Sequence, residues 1–266
     1  MSTRNEPIIA LLNGTIDTPS LYLKWSEAPW DTIVFGHPVL KIDNMEVRGR
    51  FAASDIEIFT RAREKIDCRL VSSRLNHECL AESMLLEDVG FRFIEMIYQP
   101  ELEKLAATDA YDEPGLSVAL ATMADMPEVL KVAGNAYSND RIHMDPRLPS
   151  AVGDLRYQNW VSSTISHPSQ RLSVLRDDTA LVAFFITESL ADGTCYWHLN
   201  AVAPEAQGRG YGKHAWMTML RHAWEEGAIR IRTSIAARNH RVLNLYAGLG
   251  FKFSPPMMTF HWVHKQ

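Results

Sequence analysis

The segment Gly208-Arg209-Gly210-Tyr211-Gly212-Lys213 sets three glycines and two cations into six residues. It follows a strand-like run ending at Asn200-Ala201-Val202, and Pro204 stops that strand. After it, Trp216, Met219, Leu220, Ala223 and Trp224 recur at i, i+3, i+4, i+7 and i+8, which predicts a helix from about Gly210 to Glu226 with one apolar face. A tight glycine turn between a strand and a helix N-terminus lets backbone N–H groups converge, and the helix dipole adds positive potential there. That arrangement suits a phosphate or pyrophosphate, and Arg209 and Lys213 add fixed charge. Two other phosphate loops fail on their residues. A Walker A loop needs Ser or Thr after Gly-Lys, where His214 stands. A dinucleotide fingerprint reads G-x-G-x-x-G, whereas this segment reads G-x-G-x-G and lies late in the chain.

A second candidate is Tyr246. Asn239 and Tyr246 lie seven apart and so share one side of a short predicted helix, Arg238 to Ala247. A phenol has a reference pKa of about 10. It stays protonated at neutral pH and can give a proton to a departing thiolate. Tyr246 could equally be a core aromatic stacked on Val242, and the residues alone leave both readings open.

The elements that must position these groups follow from pattern. Strands are predicted at Arg171–Leu175, Thr179–Glu188, Cys195–Val202 and Ile229–Ile235, with a hairpin near Asp177-Asp178 and a closing strand pair within Phe251–Trp262. Helices are predicted at Met123–Tyr137 and Tyr157–Ile165. This β-β-β-α-β-α-β order makes a mixed sheet with helices on its faces. Upstream, Val39–Ile42, Cys68–Ser72 and Phe91–Gln99 suit strands, and Ser54–Lys65 and His77–Val89 suit helices. A polar turn at 108–116, containing Pro114-Gly115, divides the chain into domains 1–110 and 115–266. No repeat of fixed period is visible in the sequence.

Composition bounds the function. The 266 residues are 46% hydrophobic and 22% charged, ordinary for a soluble globular protein of two domains. No apolar run is long enough for a membrane span, and Met1–Pro7 has no signal-peptide core. Cys68, Cys79 and Cys195 are scattered, without disulfide or metal-ligand spacing, so no metal is expected and the setting is read as reducing and cytoplasmic. The net charge of −5 divides unevenly. Residues 1–114 carry 12 Lys and Arg against 20 Asp and Glu, and residues 115–266 carry 15 against 12. The basic half is the place for a polyanion, but the total argues against broad nucleic-acid binding.

The glycine segment resembles the coenzyme A loop of the GNAT superfamily of acetyl-CoA-dependent N-acetyltransferases. That pattern is [Arg/Gln]-x-x-Gly-x-[Gly/Ala] after a strand ending Val-x-Pro; Gln207, Gly210 and Gly212 fill it after Val202-Ala203-Pro204. The second family signature is matched by Asn239 through Tyr246 to Gly250-Phe251. The resemblance covers about residues 170–262. It implies a GNAT acyl-CoA N-acyltransferase fold, an α/β mixed sheet, with a smaller N-terminal α/β domain, related or accessory, that is partial GNAT-like. It also implies acetyl-CoA or another acyl-CoA as co-substrate. Asn200, Ala201 and Val202 would pair with the pantetheine arm, the backbone N–H groups of Gln207, Gly208, Arg209, Gly210, Tyr211 and Gly212 would take the pyrophosphate, and Lys213 belongs to the same coenzyme set. Asn239 completes the expected coenzyme set, and Tyr246 becomes the acid.

The first half is similar to the bacterial TDP-fucosamine N-acetyltransferases and their relatives. Pro29-Trp30-Asp31-Thr32-Ile33-Val34-Phe35-Gly36 matches their opening, with Val34 where a second aromatic is usual, and Gly90-Phe91-Arg92-Phe93-Ile94-Glu95 matches a later strand. A looser match spans Ala136–His143, with Tyr157 and Trp160 beyond it. This likeness implies Glu95 as the group that deprotonates the amine, and Asp140, Arg141 and His143 as substrate-pocket residues. The expected partner is a small polar amine such as an amino sugar on a nucleotide; a homodimer is left open. Two rivals stand beside this: an acyltransferase with a carrier-protein- or aminoacyl-tRNA-linked substrate, and a non-catalytic acyl-CoA-binding module.

Overall fold

The computed structural model describes residues 12–105 and 115–264. In chain order the elements are β1 (Asn13–Asp17), β2 (Leu21–Glu27), α1 (Pro29–Phe35), β3 (Val39–Val47), α2 (Ala52–Asp55), α3 (Glu57–Lys65), β4 (Leu70–Asn76), α4 (Leu80–Asp88), β5 (Arg92–Tyr98), β6 (Pro100–Leu102), β7 (Ser117–Leu120), α5 (Met126–Ala133), α6 (Arg141–Met144), α7 (Ser150–Thr164), β8 (Gln170–Asp177), β9 (Ala180–Ser189), β10 (Thr194–Val202), α8 (Tyr211–Glu225), β11 (Arg230–Thr233), β12 (Ile235–Ala236), α9 (His240–Gly248), β13 (Lys252–Phe253) and β14 (Met257–Val263). The expected mixed α/β architecture is present, with two mixed sheets. The residues group into two compact units. One holds the chain up to Ile94 together with the segment from Met258 onward, and the other runs from Glu95 to Met257. Most of the turn expected at 108–116 lies outside the described residues. Among the described residues, no helix is long and apolar enough to cross a membrane.

In the N-terminal unit the strands lie in the order β1-β2-β3-β4-β14-β5. β1, β2 and β3 form an antiparallel meander, and β3 then runs parallel to β4. Leu21, Leu23, Leu40, Phe59, Phe91 and Phe260 fill its core. The sequence pairs the two closing strands with each other; the structure does not. Pro255 and Pro256 between them have no N–H to donate to a hairpin ladder. β13 instead pairs with β6, and β14 enters the N-terminal sheet between β4 and β5.

The second unit orders its sheet β13-β6-β11-β10-β9-β8-β7. β7 through β10 are antiparallel and β10 is parallel to β11. The β8–β9 hairpin turns as expected, with Asp178 at a φ of 49°. α8 buries Ala215, Trp216, Met219, Leu220 and Ala223, but Trp224, expected on the same face, is 38% exposed. α7 begins at Ser150, well before the predicted start at Tyr157.

The two units repeat one another, a relation the sequence pattern conceals. β4–α4–Gly90-Phe91 and β11–α9–Gly250-Phe251 follow the same path 160 positions apart, Leu70 matching Arg230. The residues before the helices, Cys79 and Asn239, have φ/ψ of −77°/64° and −81°/64°. Gly90 and Gly250 have φ of 90° and 83°. The N–H groups of Phe91 and Phe251 donate to the carbonyls of Leu86 and Tyr246 at 2.9 and 3.0 Å. The parallel pairs end alike, at Ile42 with Ser73 and at Trp197 with Thr233. Both β3 and β10 shift register against their hairpin partners near that point. Within the matched stretch only Leu85/Leu245, Gly90/Gly250 and Phe91/Phe251 are identical, too few to show as a repeat.

Because β14 is a central strand of the N-terminal sheet, Phe260, 2% exposed, should bear on that unit's stability. Phe260→Ala is expected to cost about 3–5 kcal/mol, measured by urea unfolding. A loss below about 1 kcal/mol would contradict the placement of this strand.

Candidate active site

β10 and β11 pair from Thr194 and Arg230 to Trp197 and Thr233, where Thr233 Oγ1 donates to the Trp197 carbonyl at 2.8 Å. Beyond that link the two strands part. β12 pairs with β5 at Tyr98 and Ile97, while β10 stays on β9 as far as Val202. From Leu199 to Val202, β10 therefore has one edge that no strand covers among the described residues. Ala203 N–H donates to the Val182 carbonyl, so by alternation Asn200 and Val202 present their backbone groups to the open edge. Their carbonyls are engaged by side chains: Tyr137 Oη donates to Asn200 O at 3.0 Å, and Gln207 Nε2 to Val202 O at 3.1 Å. The N–H groups of Asn200 and Val202 are the donors this edge offers to an amide-bearing arm.

The chain leaves this edge through a short turn at Pro204–Ala206 and enters the glycine segment. Gly208 and Gly210 have φ of 76° and 89°, a conformation in which an L-residue is strained. Gly212 is different, lying in the first turn of α8 with no positive φ. A Cβ on any of the three would meet no protein atom within 4 Å. Their missing side chains therefore leave open space outside the chain, as a phosphate cradle needs. Gln207 N–H is spent on the Pro204 carbonyl at 3.2 Å, so the row of available amides begins at Gly208, one residue later than the resemblance implies. The first N–H groups of α8, at Tyr211, Gly212 and Lys213, precede any acceptor within the helix. Arg209 lies over the Tyr211 ring, 5.6 Å from its centroid, and the Tyr211 hydroxyl donates to Asp177. These residues fit a pyrophosphate.

Tyr246 is 1% exposed, its ring packed 4.8 Å from that of Phe251 and 6.3 Å from that of Trp216. Burial raises the phenol's pKa against the opposing hydrogen bonds of Trp216, Thr233 and Asn200, so it stays protonated. The ring is part of the core, and the hydroxyl faces Asn200 and Thr233 where the strands part. Asn239 caps α9, its Oδ1 accepting from Val242 N–H at 3.3 Å.

Glu95 is 3% exposed, so it does not face solvent. It lies on the part of β5 that belongs to the second unit, and its charge reaches Tyr157. Tyr157 stacks on Tyr137 at 4.1 Å and on His143 at 6.2 Å. Burial raises the pKa of both tyrosines. His143 is held between two carboxylates, Nδ1 bonding Asp140 and Nε2 bonding Asp154 at 3.0 Å. Gly153 makes room for this ring, since a Cβ there would come within 2.3 Å of it. Asp140 also caps α6 by accepting from Ile142 N–H. Asp140 and His143 thus bond first to each other, and Arg141 contributes charge that bears on Tyr157. The sequence reading misses Asp154, because it starts the helix too late. It also misses Glu188, which bonds His198 Nε2 at 2.7 Å and accepts from Ser169 at 2.6 Å. These three come from separate segments, and no short motif marks them.

The contrast between two glycines tests the cradle. Gly212→Leu should keep stability unchanged or raise it by up to about 1 kcal/mol, since glycine is a poor helix former, while acetyl-CoA affinity by calorimetry falls about 100-fold or more. Gly210→Leu should lose affinity and also about 1–3 kcal/mol of stability, from strain at positive φ. Unchanged affinity in a folded Gly212→Leu variant would remove the cradle from this segment. A second test uses His143. Burial opposes its charged form, but the hydrogen bond and charge of Asp140, then of Asp154, prevail and raise its pKa. Its stabilising effect is therefore fully present below its unfolded pKa of about 6.5 and is lost as pH rises through the raised folded value. Urea midpoints of wild type and His143→Gln should differ most at pH 5.5 and converge toward pH 9; a gap that widens with pH would contradict this.

Comparison with known proteins agrees with the geometry. Residues 135–251 match the model of the acetyltransferase (GNAT) family. No curated protein matches the sequence. Among solved structures, a conserved protein of unknown function from Staphylococcus epidermidis is similar with a TM-score of 0.68 at 12% identity, covering 97% of this chain and 96% of its own. A GCN5-related N-acetyltransferase from Sphaerobacter thermophilus gives 0.61 at 14% identity, covering 92% and 76%. A tandem GNAT protein from the clavulanic acid biosynthesis pathway gives 0.58 at 14% identity, covering 97% and 84%. At these identities the structures show the fold. Residues 135–251 are thus similar to the acetyltransferase (GNAT) family, and the chain shares the fold of the solved GNAT structures.

Proposed function

We propose that the protein transfers an acetyl or other acyl group from acyl-CoA to the primary amine of a small polar acceptor, by direct attack in a ternary complex. The acceptor class is an amino sugar carried on a nucleotide. The likeness of residues 29–36 and 90–95 to the TDP-fucosamine N-acetyltransferases supports that class, and the free cysteines Cys68, Cys79 and Cys195 support a cytoplasmic setting.

The carrying observation is the order of charge around the open edge of β10. The amides of Gly208–Lys213, with Arg209 and Lys213, favour an anion. The Tyr246 hydroxyl lies at Asn200 and Thr233. The aromatic stack of Tyr137 and Tyr157 is bordered by the carboxylates of Glu95, Asp140 and Asp154. A coenzyme thiol ester and an ammonium are held by opposite sets.

An alkylammonium cannot attack until it loses a proton. Glu95 accepts that proton, and the freed nitrogen lone pair forms the C–N bond as the C–S bond breaks. Tyr246 gives its proton to the leaving sulfur and regains one from the product nitrogen by way of water. Trp216, Thr233 and Asn200 surround the phenolic oxygen.

Tyr246→Phe keeps the ring and its packing, so kcat should fall about 10²–10⁴-fold with acetyl-CoA affinity and melting temperature unchanged. Wild-type turnover in that variant would remove Tyr246 from the chemistry. Glu95→Gln should lower kcat most at neutral pH and recover as pH rises and the free amine forms unaided; a profile parallel to wild type would make Glu95 a packing residue. Thiol release from acetyl-CoA against amines and nucleotide amino sugars tests the acceptor class, which fails if plain alkylamines react as well as nucleotide amino sugars.

A further inference from the structure

The repeat within the chain allows its two units to be compared position by position. In the second unit, Val202 presents its N–H at the open edge of β10, as argued above from the Ala203–Val182 bond. In the N-terminal unit Arg48 N–H donates to the Ser20 carbonyl in the same way, so Val47 is the counterpart of Val202, and its N–H also points away from the hairpin partner. That N–H is not offered to a ligand. Glu82 on α4 accepts it at 2.8 Å. The residue 160 positions later on α9 is Val242, an apolar side chain that bears no acceptor.

Other parts of the coenzyme site differ in the same direction. The connection after β3 is residues 48–51, against residues 203–210 after β10. It contains Gly49 but no residue of positive φ. The helical turns that follow open with Asp55 and Glu57, which repel an anion, where α8 opens with no acidic residue. The counterpart of Tyr246 is Leu86.

We infer that the N-terminal unit is a second copy of the coenzyme fold whose slot is closed by its own Glu82, so that each chain holds a single acyl-CoA. The inference rests on the acyl-CoA reading of the second unit and adds the stoichiometry and the means of closure. The carboxylate satisfies the strand amide that would otherwise meet an amide carbonyl of the pantetheine arm, and the short acidic connection offers a pyrophosphate no cradle. The N-terminal unit keeps the strand divergence and the Gly-Phe turn because they build its core, with Phe91 fully buried.

Calorimetry and native mass spectrometry with acetyl-CoA on the full chain test this. One molecule per chain is expected, and Gly212→Leu should weaken it about 100-fold or more, leaving no site of wild-type affinity. Two per chain, or one of wild-type affinity surviving in the Gly212→Leu variant, would overturn the closed copy while leaving the acyltransferase reading intact. No binding by wild type would overturn both. The closure itself is tested by moving it. Val242→Glu places a carboxylate opposite Val202 N–H and should weaken acetyl-CoA at least tenfold, whereas Val242→Leu, an apolar control of larger size, should not. Circular dichroism establishes that both variants fold. Equal affinities in Val242→Glu and Val242→Leu would contradict the role given to Glu82.

Discussion

The parallel pairing of β10 with β11 ends at Trp197 and Thr233, and the proposed chemistry depends on that ending. Had the pairing continued, Asn200 and Val202 would spend their amides on a neighbouring strand. Instead β12 turns to β5, and among the described residues β10 keeps β9 alone beside it. The Thr233 hydroxyl on the Trp197 carbonyl holds the point of divergence. A sheet interrupted in this way needs compensation, because unpaired backbone groups in a protein interior are costly. Tyr137 and Gln207 supply part of it by binding the carbonyls of Asn200 and Val202. Tyr246 supplies more by filling the space below with a buried ring while its hydroxyl remains at the edge.

From that divergence the electrostatics follow. Along one direction the chain reaches the amides and cations of residues 208–213. In the other it meets aromatic rings and carboxylates. His143, pinned between Asp140 and Asp154, keeps two acidic groups in place beside the Tyr157 ring. The N-terminal unit follows the same path with different side chains. It retains the divergence after Ile42 and Ser73, but fills it from within by Glu82 and replaces the phenol with Leu86.

How far the sequence revealed this depends on how local each feature is. The glycine turn, the amphipathic helix after it and the Asn239–Phe251 segment are each written in adjacent residues, and the structure has them where they were read. Tyr246 could be placed on its helix but not in its surroundings, because Trp216, Thr233 and Asn200 come from three other elements. The destination of β14 was not legible. Its residues read as a strand, but only the prolines before it hint that it cannot pair with β13. The repeat was hidden for a related reason: hydrophobic positions are interchangeable, so Leu70–Phe91 and Arg230–Phe251 keep their path with three identities. The Glu188–His198 contact was equally invisible, since nothing in either strand's alternation selects its partner.

The central claim is that a single open edge, Asn200 to Val202 with the turn to Lys213, receives the coenzyme. Hydrogen exchange with and without acetyl-CoA tests it most directly. Slowed exchange is predicted at the amides of Asn200 and Val202 and from Gly208 to Lys213, with no change at Val47 or along residues 48–57. Protection at Val47, or none at the β10 edge while acetyl-CoA is bound, would contradict the account.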